Sequence, residues 1–145
     1  MSTTPDTARW ESVGETSNTR YFLVEERVLA GVPPAGSVDD ARSARENIDF
    51  QQGYFRKNKP GVVIIFFDNL VSQDKGARAV YQTQGDPTVL VGTALVGGNL
   101  LSRAMGSFFM GLSKPKVAVK MFPSLDEAVV WAHQRIAMTD KERGT

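Results

Sequence analysis

"GVVIIFFDN", residues 61–69, decides the fold. The run is β-branched and aromatic, and apolar and polar residues do not alternate along it. A strand with one wet face alternates; a strand covered on both faces does not. The reading is a central strand of a mainly parallel sheet, ending at Asp68. Ligands of open α/β sheets lie beyond the carboxyl ends of such strands. Asp68 and the loop after it, "NLVSQDKG" (69–76), are therefore the first candidate site.

Outward toward the amino end, "NKPG" (58–61) closes a helical pattern. Ser37 is expected to open that helix as its cap, with Asp39 and Asp40 in the first turn, where the helix dipole favours anions. Ala41, Ala44, Ile48, Gln51 and Gln52 follow at helical spacing, and the helix is expected to fade near Gly53 or Lys57. Before it, "RYFLVEERVLAGVPPAG" (20–36) reads as an antiparallel hairpin with strands over 20–25 and 27–32, stopped by Pro33, Pro34 and Gly36. "WESVGETS" (10–17) is either an early strand or part of a leader, so residues 1–19 stand as a tail or an extra strand.

Toward the carboxyl end, Ser72 is placed to cap a helix carrying Ala77, Val80 and Tyr81. "TVLVGTALVGG" (88–98) is a second buried strand. "LSRAMGSFFMGLSKPK" (101–116) reads as a helix over 99–112, "KVAVKMF" (116–122) as a strand, and "SLDEAVVWAHQRIAM" (124–138) as a last helix with Ser124 and Glu127 in a capping box. Alternation of strands and helices requires right-handed crossovers. The expected fold is α/β: a mixed, mainly parallel five-stranded sheet flanked by four helices, with the hairpin at its amino end. The domain is set at 20–138, with 139–145 as a tail.

The 145 residues suit one domain, and net charge is +1. No global field points to nucleic acid. Residues 1–50 hold five basic and nine acidic side chains, and residues 51–145 hold twelve and seven; such asymmetry suits either two solvated faces or self-association. Cysteine is absent and His133 is the only histidine. That excludes disulfides, thiolate nucleophiles and Cys-based zinc sites, and implies neither metal nor cofactor. The first residues have no apolar core of a signal peptide, and "VVIIFF" is too short to span a bilayer. A cytoplasmic location is the expectation.

In the helix expected over 99–112, Leu101, Met105, Phe108, Phe109 and Leu112 share one face, which suits packing on a sheet. Arg103, Ser107 and Met110 lie opposite. "GGN" (97–99) sits at a strand-to-helix turn but lacks the spaced glycines of a dinucleotide site and the lysine of a P-loop. His133 is expected to be exposed beside Asp126 and Val130, with nothing to bring it to Ser72, so a serine-hydrolase arrangement is disfavoured.

A buried strand ending in Asp68, a loop with Ser72, "GARAVY" (76–81), a strand, and then "SR", "FF", "KP", "MF", "DEA" and "W" in order over 102–131 resemble the STAS-like domains of bacteria, in the SpoIIAA-like group of anti-anti-sigma-factor relatives. The resemblance implies a regulatory or ligand-binding role rather than catalysis. In anti-anti-sigma factors a serine after the corresponding strand is phosphorylated by a partner kinase; Ser72 is the position that corresponds, within "DNLVSQDKG" (68–76). The leading expectation is a non-enzymatic module that contacts a partner protein, a second copy in a homodimer, or a small amphipathic or anionic ligand. Asp68, Ser72, Arg103, Phe108 and Met110 would form that contact. The alternative is a small-molecule or lipid carrier, or an enzyme, with a crevice at the carboxyl ends of the parallel strands.

Overall fold

The structure, a computed structural model, describes residues 4–98 and 116–144. In chain order its elements are β1 (Glu11–Glu15), β2 (Arg20–Glu25), β3 (Val28–Val32), β4 (Ser37–Asp39), α1 (Ala41–Lys57), β5 (Gly61–Phe66), β6 (Leu70–Gln73), α2 (Lys75–Thr83), β7 (Leu90–Val96), β8 (Val119–Phe122) and α3 (Leu125–Glu142). The main sheet runs β1-β2-β3-β5-β7-β8. The first two pairings are antiparallel and the other three parallel. The expected mixed α/β sheet is present, with β5 between β3 and β7.

The absence of alternation in β5 has its predicted cause. Val62, Ile64 and Phe66 join the cluster that packs under α3, with Ala128 and Ala132. Val63 faces the other way, into the cluster with Ala44, Ile48 and Phe55 of α1 and Ala77 and Val80 of α2. Burial of apolar area on both faces is the main source of stability for such a strand.

Two expectations are corrected. The sheet has six strands rather than five, because Glu11–Glu15 pairs with β2 and extends the antiparallel edge. The described residues hold three helices; the helix expected over 99–112 lies outside them. Neither Ser37 nor Ser72 caps a helix. Both lie in strands, β4 and β6, which pair in parallel as a separate two-stranded sheet. That pairing uses their backbone polar groups, so each helix starts only where the chain leaves the small sheet. The cap then falls to the next aspartate. Asp40 accepts from the Ser43 amide at 2.9 Å while the Ser43 hydroxyl accepts from the Asp40 amide at 2.9 Å. Asp74 accepts from the Ala77 amide at 2.9 Å. The last helix does begin at Ser124, whose hydroxyl accepts from the Glu127 amide at 3.3 Å.

The β2–β3 turn carries the one described non-glycine residue with positive φ, Arg27 at 68°. Its side chain ties distant elements together. Nε donates to the Pro60 carbonyl at 2.7 Å, and Nη1 and Nη2 donate to the Asp140 carboxylate at 2.7 and 2.8 Å. Hydrogen bonding to this guanidinium holds the Asp140 carboxyl below its usual range.

Candidate functional site

α1 carries the unexpected chemistry. Its inward stripe is Ala44, Asn47, Ile48, Gln51, Gln52 and Phe55, and all six are buried. Three are amides, and burying an amide is costly unless it is hydrogen-bonded. Asn47 and Gln51 lie one turn apart and meet Tyr21 of β2. The Tyr21 hydroxyl donates to Asn47 Oδ1 at 2.9 Å and accepts from Gln51 Nε2 at 2.9 Å. Asn47 Oδ1 also accepts from the Thr16 hydroxyl at 2.7 Å. Asn47 Nδ2 donates to Asn18 Oδ1 at 2.8 Å and to the Tyr81 hydroxyl at 3.3 Å.

The network ends on Asp39, the last residue of β4, 6% exposed. One carboxylate oxygen accepts from the Ser43 hydroxyl at 2.5 Å and from Asn18 Nδ2 at 3.3 Å. The other accepts from the Tyr81 hydroxyl at 2.8 Å and from Gln73 Nε2 at 3.3 Å. All four donors are uncharged. The ion pairs among the described residues lie elsewhere, at Arg27–Asp140, Arg56–Asp86 and His133–Glu25. Burial is the largest cause raising the Tyr21 and Tyr81 phenols above their ordinary value, and the negative charge of Asp39 raises both further. Both are neutral donors at physiological pH.

These groups form one end of a cavity of about 60 Å³. Asn18, Tyr21, Asp39, Asn47, Gln51, Gln73 and Tyr81 line the polar end. Ile65 and Phe67 after the middle of β5, Leu70 of β6, Leu95 of β7, and Val117 and Val119 line the apolar wall. Leu70, Phe67 and Leu95 form a small cluster of their own. The cavity lies on the α1–α2 side of the sheet and reaches toward the carboxyl ends of β5 and β7. Asp39 is the only acidic side chain among the described lining residues, which include no lysine, arginine or histidine.

Asp68 sits at the carboxyl end of β5, as read from the sequence, in a single 3-10 turn (Phe67–Asn69). Its carboxylate oxygens accept from the Gly98 amide at 3.0 and 3.2 Å, so it pins the exit of β7. Ser72 is exposed on β6, between Val71 and Gln73, and Val71 is 52% exposed. Asp68 and Ser72 are near in sequence, but neither lines the cavity. Arg103, Phe108 and Met110 lie outside the described residues. His133 is exposed, as expected, and pairs with Glu25 at the end of β2. Trp131 lies at the rim of the α3 cluster against Phe122, with ring centroids 5.6 Å apart.

The sequence reading passed over Asp39 as a first-turn anion and Gln51 as a plain helix position. It assigned no role to Tyr21, Asn47 or Gln73. One signal was available: amides at positions 47, 51 and 52 fall on the same helical stripe as Ala44, Ile48 and Phe55. A stripe with apolar and amide residues mixed announces a buried polar network.

A family model described as a domain of unknown function (DUF7793) matches residues 23–135. The matched span includes Asp39, Asn47, Gln51, Gln73 and Tyr81. Comparison with curated proteins and with solved structures returns no match.

Proposed function

The chain belongs to the DUF7793 domain family, and on that premise we propose that it is a non-enzymatic binding module for a small amphipathic ligand. The polar part of the ligand sits against the Asp39–Tyr81–Asn47 network, and its apolar part lies along Leu70, Leu95 and Phe67. The observation that supports this reading is the division of one cavity into a hydrogen-bonding end and an apolar wall. Small-molecule sites combine those two features. The STAS-like resemblance supports a regulatory use of such binding. The test is native mass spectrometry of the purified protein, together with methyl NMR on Leu70 and Leu95 during titration with short-chain amphiphiles. A retained low-mass molecule, or saturable shifts at those methyls, is the expected result. A clean apoprotein whose methyls ignore every amphiphile would end the reading.

A second reading is a contact with a partner protein or a second copy through the loop after Asp68. It is favoured by the exposure of Ser72 in a small sheet that also presents Val38 and Val71, 55% and 52% exposed. Ser72 there is within reach of a kinase, and phosphorylation would add charge beside the apolar pair. A dimer mass, or a partner captured by the wild type and lost with Val71→Asp, would favour it.

A further inference from the structure

We infer that the cavity selects a ligand with a cationic, hydrogen-bond-donating head, a protonated amine, and rejects carboxylate and phosphate heads. This inference rests on the amphipathic-ligand reading above and specifies its chemistry.

Three observations carry it. First, Asp39 is the one acidic side chain among the described lining residues and no basic one lines the cavity; the Arg78 guanidinium is bonded to the Gln73 carbonyl at 2.7 Å and is not a lining group. An anionic head there would meet like charge at low dielectric, where repulsion is strong. Second, the bond from Asn18 Nδ2 to Asp39 is long, 3.3 Å, and the same group donates to the Val38 carbonyl at 2.9 Å. An incoming N–H can replace it at little cost, and a charge-assisted bond is stronger than the neutral one it displaces. Third, Gln73 Oε1 is buried and has no hydrogen-bond partner among the described residues. Its own Nε2 holds it next to Asp39. An ammonium has three N–H donors. One can reach Asp39 and another Gln73 Oε1, which supplies an acceptor that the folded chain otherwise leaves unused. An ionised carboxylate has no donor to offer either group, and a phosphate carries negative charge beside Asp39 whatever donor it keeps.

The experiment uses ethylamine, ethanol and acetate at neutral pH, sized to a cavity of about 60 Å³, with n-butyl analogues as a longer set. Binding to the full chain is read by NMR titration and isothermal calorimetry. The amine is expected to bind at least about tenfold more tightly than the carboxylate of equal length, as charge-assisted bonding against like-charge repulsion requires. Asp39→Asn should bring the amine down to the level of the alcohol. Gln73→Met, at a half-exposed position, should weaken the amine alone. Thermal unfolding of each variant verifies that it is folded, so that Gln73→Met remains decisive if Asp39→Asn is unstable. A carboxylate binding as well as the amine of equal length, or an amine indifferent to Gln73→Met, would overturn the selectivity while leaving the amphiphile site standing. If no member of either series binds, both the site and its selectivity fall.

Discussion

At the scale of the residue, Asn47 concentrates more structure than any apolar neighbour. Its amide joins the β1–β2 turn, β2 and α2 through Thr16, Asn18, Tyr21 and Tyr81. Tyr21 is fully buried and gives the network its cleanest test. Tyr21→Phe keeps the ring and its stacking on Phe50, centroids 4.4 Å apart, but leaves Gln51 Nε2 without its acceptor. A buried donor left unmade costs about 2 kcal/mol, and urea unfolding should show that loss. The hydroxyl also predicts an alkaline limit. Its folded pKa is raised above the ordinary 10.0, so its neutral form contributes stability that is complete below pH 10.0. That contribution disappears as pH rises through the folded value. The wild type should therefore lose stability above pH 10.0 more steeply than Tyr21→Phe, as read by unfolding at stepped pH; parallel curves would refute the assignment. Of this site the sequence exposed the residue types and their helical spacing. It hid the partners, because Tyr21 and Asn47 lie twenty-six positions apart and only packing of β2 on α1 brings them together.

At the scale of the element, β5 was legible because a two-sided environment leaves a mark on every residue of a strand. The starts of α1 and α2 were not. Serine and aspartate cap a helix about equally well, so "GSVDD" (36–40) offers three candidates and "VSQD" (71–74) two. The choice was made by β4 and β6 pairing with one another, a contact between segments more than thirty residues apart. The join between α1 and β5 has a tighter constraint. A Cβ on Gly61 would stand 2.3 Å from the Arg27 carbonyl oxygen and 2.4 Å from the Phe55 ring. That carbonyl accepts from the Val62 amide at 3.0 Å, so it cannot move without breaking the start of the β3–β5 ladder. Gly61→Ala should cost about 3 kcal/mol by overpacking, measured by chemical denaturation. A change within experimental error would show that the junction is softer than its geometry.

At the scale of the whole molecule, a six-stranded sheet is covered by α3 on one side and by α1 and α2 on the other, and the cavity lies on the α1–α2 side. Stability should be unevenly spread. β5 is paired on both edges and buried on both faces, whereas β4 and β6 form a two-stranded sheet with exposed Val38 and Val71. Amides of β5 are expected to exchange only on global unfolding, and those of β4 and β6 at least ~100-fold faster through local opening. Hydrogen exchange followed by NMR checks this. Uniform protection would mean that the small sheet, and with it Asp39, is locked to the core.

The amino-acid sequence by itself determined the class of fold, the central strand, the hairpin before α1 and the capped last helix. Each is specified by neighbours along the chain, through periodicity and turn chemistry. Only the tertiary structure decided that Glu11–Glu15 adds a sixth strand, that β4 and β6 pair, and that one carboxylate is buried among amides and phenols beside an apolar wall. Those outcomes rest on hydrogen bonds and burial between segments far apart in the chain, and such contacts exist only once the sheet has brought the segments together.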